Sequence, residues 1–109
     1  MTALLEPQSP QPSQSPIVAD SELMRRLAQR DSTALVELER RHRGSLYAMA
    51  YSTLMDAGAA ERVVRDAFAQ LCLEAIHHSK RRPLNLLRDL TRELARAERA
   101  LRDSRVHRR

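Results

Sequence analysis

Four arginines, Arg88, Arg92, Arg96 and Arg99, recur at spacings of 4, 4 and 3 near the C-terminal end of this chain. That spacing lines them along one side of a helix. Guanidinium groups in such a row track the phosphates of a nucleic acid, each adding a salt-dependent increment to binding. Lys80, Arg81 and Arg82 stand just before them and extend the same basic character. Intrahelical pairing competes with this reading, because Asp89 with Arg92, Glu93 with Arg96 and Glu98 with Arg102 are i, i+3 or i, i+4 pairs. From Lys80 onward, however, 4 acidic residues face 11 basic ones. Some arginine therefore remains free for a polyanion.

A second cluster, Glu61, Arg62, Arg65 and Asp66, lies between apolar residues at helical spacing. A helix carrying it presents these side chains outward, as a contact for a partner protein. The alternative is an ordinary solvated face, with Glu61 and Arg65 forming an i, i+4 pair.

The residues offer little for catalysis or metal binding. No Ser-His-Asp set or glycine-rich phosphate loop is visible, and the carboxylates fall on helix surfaces without converging, so no enzyme, cofactor or small-molecule substrate is expected. His77 and His78 are adjacent and splay about 100° apart on a helix. Cys72 precedes His77 by five residues, one too many for an i, i+4 ligand pair, so no metal is expected and Cys72 reads as a small buried residue.

These residues must be positioned by helices. The 109-residue chain has two glycines, no run of β-branched residues and no hairpin signal. Residues 1–19, rich in Pro, Ser and Gln, bury too little apolar surface to offset their ordering entropy and are expected to be a disordered tail. Met1 to Leu5 lacks the basic start and apolar stretch of a signal peptide. A first helix is expected from Ser21 to Arg30, capped by Asp20 or Ser21, with Leu23, Met24, Leu27 and Ala28 inward. Asp31-Ser32 caps a second, from Thr33 to Leu54, with Leu35, Leu38, Leu46, Met49 and Thr53 on one side and a kink or close helix contact at Gly44. Asp56-Ala57-Gly58 breaks the pattern. A third helix follows from Ala59 to His77 or His78, burying Ala60, Val64, Ala67, Phe68, Leu71 and Ala75. Pro83 opens a fourth, running to Asp103, with Leu87, Leu90, Leu94, Ala97 and Leu101 as an unbroken seam. The helical domain thus spans 20–103, followed by a basic end at 104–109.

Net charge is −2 through Ser79 and +7 from Lys80 on, so the overall +5 belongs to the C-terminal third. No apolar run approaches the roughly 20 residues needed to span a bilayer. A single cysteine rules out an internal disulfide and fits a reducing, cytoplasmic setting.

Residues 20–102 resemble the first conserved domain (region 2) of extracytoplasmic-function sigma factors. Ala60, Glu61, Val63, Val64 and Phe68 match the family's Ala-Glu-Asp-x-x-Gln-Glu-x-Phe motif, and Leu90-Thr91-Arg92-Glu93-Leu94-Ala95 resembles its Ile-Ala-Arg-Asn-Leu-Ala. The resemblance implies an all-α, four-helix bundle that contacts the clamp coiled coil of RNA polymerase core through the third helix. It also implies that the fourth helix faces promoter DNA. The chain departs from the pattern where the family has Asp, Gln and Glu and this sequence has Arg62, Arg65 and Asp66. The family's tryptophan before the fourth-helix motif falls at Leu86, and its loop residues that hold an unpaired base are replaced by His77-His78-Ser79-Lys80-Arg81-Arg82. The second, promoter-reading domain of the family is not in this sequence. Three functions follow as expectations: a lone region 2 that binds polymerase and promoter DNA; a sigma-like mimic that binds an anti-sigma factor or another sigma partner; or a basic helical protein that self-associates through its leucine seam and binds nucleic acid without sequence preference.

Overall fold

In a computed structural model the chain forms α1 (Asp20–Ala28), α2 (Ser32–Leu54), α3 (Ala57–Glu74) and α4 (Pro83–His107). The structure describes residues 18–77 and 80–107. The expected tail through Ile17, His78, Ser79 and the final Arg108-Arg109 lie outside the described residues. Among the described residues there is no strand, and no helix is long and apolar enough to cross a membrane. The helices α2, α3 and α4 pack on one another, while α1 lies against α2 and touches α4.

Leu23, Met24 and Leu27 bury one side of α1. Neither Asp20 nor Ser21 caps it. Ala19 holds the N-cap position without a side-chain bond. The Asp20 carboxylate instead accepts from Arg41 at 2.8 Å and lies 2.7 Å from His42 Nε2, which ties the start of α1 to the middle of α2. At its other end α1 closes in a Schellman motif. Asp31 N–H donates to the Arg26 carbonyl at 3.0 Å, Arg30 N–H donates to the Leu27 carbonyl at 2.9 Å, and Arg30 takes the left-handed position at φ 68°.

Asp31 caps α2, its carboxylate accepting from the Thr33 backbone N–H at 3.0 Å. The buried stripe of α2 differs from the expected one. Ala34, Leu38, Leu46, Ala50 and Leu54 are buried, whereas Leu35, Met49 and Thr53 are only half-buried. The inward residues keep a spacing of four or its multiple, so the stripe winds around the helix by about 40° per step as α2 turns from one neighbour to the next. No close contact marks Gly44: α2 runs through it unbroken, and a Cβ there would meet nothing within 4 Å.

The break between α2 and α3 falls at Met55, left-handed at φ 53°, and Asp56; of the expected Asp56-Ala57-Gly58, Ala57 and Gly58 already lie inside α3. Asp56 caps α3 by accepting from Ala59 N–H at 2.9 Å. All six residues expected to be buried on α3 are buried, and Ala59 and Val63 join them. The helix stops at Glu74, shorter than expected, and a turn carries the chain through His77. In α4, Leu86, Leu87, Leu90, Thr91 and Ala95 are buried, while Ala97 and Leu101 are exposed. The expected seam therefore serves the domain's own core in its first half and leaves it in the second, because a 3.5-residue repeat drifts on a straight 3.6-residue helix. The helix also runs past Asp103 to His107, through most of the expected basic end.

Candidate functional site

On α3, burial of Ala60, Val63, Val64, Ala67, Phe68 and Leu71 fixes the helix's rotation and turns Glu61, Arg62, Arg65 and Asp66 outward, all four exposed. They do not act as one unit. Arg62 leans toward α4 and meets Glu98 at 3.5 Å; Glu98 meets Arg102 at 3.3 Å, and Arg102 meets Asp56 at 3.1 Å. Asp56 thus caps α3 and anchors α4 at once. The Ala59 N–H, and then the Arg102 guanidinium, hold its carboxyl below the usual range. The expected Glu61–Arg65 pair does not form; among the described residues Glu61, Arg65 and Asp66 have no ion-pair partner. The free charges on this arc are therefore two carboxylates and one guanidinium.

Two residues on α3 and the turn after it escaped the sequence reading. Leu73 is 71% exposed and Ile76 59%, continuing the outward side beyond the charged residues. Their signal was present: both are large apolar residues that miss the buried stripe of Ala67, Phe68, Leu71 and Ala75. Between α2 and α3 lies an open groove of about 270 Å³, lined by Arg43, Gly44, Tyr47, Glu61 and Val64. The Tyr47 ring stacks on Tyr51 at 6.0 Å.

On α4, Arg88, Arg92, Arg96 and Arg99 are exposed, as are Lys80, Arg81 and Arg82. The expected pairs form only in part. Asp89 takes Arg92 at 3.4 Å but takes Arg81 more closely, at 2.9 Å. Glu98 takes Arg102, while Glu93 and Arg96 stay apart. Arg99 donates to the Thr53 carbonyl at 3.4 Å, where a cation suits the negative end of α2. Lys80, Arg82, Arg88 and Arg96 have no ion-pair partner among the described residues. Leu86, at the position of the expected tryptophan, is buried at 3% exposure and serves the core, so it presents no stacking surface.

Cys72 is half-buried, less than expected, and burial pushes its thiol pKa up, away from reactivity. Among the described residues no three His, Cys, Asp or Glu side chains gather as a metal site requires. The arrangement can offer a protein-contact arc on α3 and a set of free cations on and before α4. No protein-family model, curated protein or solved structure matches this chain.

Proposed function

We propose that the chain is a transcription-associated protein, a module resembling sigma-factor region 2, that binds RNA polymerase core through α3 and promoter DNA through α4. The pairing of Arg62 with Glu98 carries this reading. Arg62 and Arg65 replace acidic and polar residues of the resembled motif and read in the sequence as two charges set against a basic clamp. With Arg62 turned to α4, only Arg65 opposes, while Glu61 and Asp66 stay free to attract. The charge presented outward is thus on balance acidic, as a basic partner surface needs. The free cations Lys80, Arg82, Arg88 and Arg96 lie on the link and on α4, which suits a polyanion there.

Gel filtration with core polymerase tests the reading. The wild-type chain co-elutes, Asp66→Arg weakens retention by at least about tenfold, and Arg65→Gln strengthens it. If core polymerase does not retain the wild-type chain, the reading is wrong. An anti-sigma factor or another sigma partner as the occupant of the α3 arc is the second reading, and the free Arg65, which opposes a basic clamp, is what favours it.

A further inference from the structure

Where the start of α1 meets the start of α4, an open cleft of about 430 Å³ is lined by Asp20, Ser21, Arg82, Pro83, Leu84, Asn85 and Arg88. Its charge is unbalanced in a specific way. Among the described residues the only carboxylate lining it, Asp20, is already engaged by Arg41 at 2.8 Å and approached by His42 at 2.7 Å, both from α2. Arg82 and Arg88, the two guanidiniums lining the cleft, have no acidic partner among the described residues. Asp89, the nearest acid in sequence to Arg88, is occupied by Arg81 and Arg92. Two cations thus border one cleft whose acid is engaged from behind by Arg41, which it shares with Glu37. Uncompensated guanidiniums favour an anion, and a phosphate oxygen set matches their planar fork. The Ser21 hydroxyl and the Asn85 amide add neutral donors at the same cleft.

We infer that this cleft is a phosphate-binding site, with Arg82 and Arg88 as its charged ligands and Ser21 and Asn85 as hydrogen-bond donors. The ligand is a phosphate ester, carried by a free nucleotide or by the backbone of a nucleic acid strand. Arg88 also belongs to the arginine row of α4, so the inference rests in part on the reading of that row as a polyanion contact. The cleft adds a discrete, saturable position to that diffuse attraction.

Amide shifts of the 15N-labelled full chain test it, with inorganic phosphate titrated against chloride at constant ionic strength. Phosphate is expected to move the Ser21 and Asn85 amides saturably. Arg82→Gln and Arg88→Gln each weaken the effect about tenfold. Arg96→Gln, on the same helix but outside the cleft, leaves it unchanged. A nucleoside monophosphate and a short single-stranded oligonucleotide form two further arms. Equal effects of the monophosphate and inorganic phosphate assign a free phosphate ester. An effect at these amides from the oligonucleotide alone assigns a backbone phosphate. If none of the three probes moves Ser21 and Asn85, or if chloride moves them equally, there is no site. If Arg96→Gln weakens binding as much as Arg88→Gln does, the attraction is general and the inference falls. Loss of polymerase retention bears on none of these readings, so the two proposals fail separately.

Discussion

Thr91 is the residue whose environment fits its chemistry least. Its side chain is fully buried on α4, and among the described residues its hydroxyl has no hydrogen-bond partner. A buried hydroxyl without a partner carries its desolvation cost uncompensated, about 1–3 kcal/mol. The motif this segment resembles has alanine at the position, which poses no such demand. Thr91→Val keeps the branched shape and removes the polar atom. It is expected to stabilise the fold by about 1 kcal/mol, read as a higher urea midpoint at unchanged slope. A lower midpoint would show that the hydroxyl has a partner that matters. Arg62 makes a different point at the same scale: an exposed residue with an outward position in the sequence still spends its charge inside the molecule, on Glu98.

At the scale of elements, both helix-to-helix reversals that the structure describes in full turn on a left-handed residue that is not glycine. Arg30 ends α1 at φ 68° and Met55 ends α2 at φ 53°. For a residue with a Cβ this conformation costs roughly 1–2 kcal/mol, part of which glycine gives back through its freer unfolded chain. Arg30→Gly and Met55→Gly are each expected to stabilise the domain by about 0.5–1 kcal/mol in thermal unfolding followed by circular dichroism. A loss in either variant would mean that its side chain contributes more than its backbone strain removes. The same two positions explain what the sequence left illegible. The cap of α2 was visible as Asp31, because a carboxylate before an apolar stripe has few other uses, whereas Asp56 was visible only as part of a break and its capping of α3 emerges from the structure. Most of the α3 stripe was legible, since Ala60, Val64, Ala67, Phe68, Leu71 and Ala75 keep one period, while the buried Ala59 and Val63 beside it were missed. The α2 stripe was not: its inward positions include the small Ala34 and Ala50, and they wind around a 23-residue helix that serves several neighbours. Exposure of the candidate site residues followed from periodicity alone. The contacts Arg62–Glu98 and Arg102–Asp56 did not, because they join residues 36 and 46 positions apart and depend on how α3 and α4 cross.

The whole molecule separates its charge, with −2 through Ser79 and +7 beyond it. That asymmetry alone attracts polyanions, so affinity for nucleic acid says little unless its salt dependence is assigned to residues. Among the described residues Arg88 and Arg96 are free on α4, Arg92 shares Asp89 with Arg81, and Arg62 of α3 is paired with Glu98. Each cation that neutralises a phosphate releases a counterion and adds close to one to the slope of log K against log salt. Replacing Arg88, Arg92 and Arg96 together by Gln should therefore flatten that slope by about 2–3 for duplex binding measured by fluorescence anisotropy, the lower figure applying if Asp89 keeps Arg92. Arg62→Gln removes the same charge per residue from the net but should leave the slope unchanged, since its guanidinium faces Glu98. If the triple variant and Arg62→Gln lower affinity in proportion to charge alone, with no difference in slope per charge removed, then α4 presents no defined face, and the basic third acts only through its net charge.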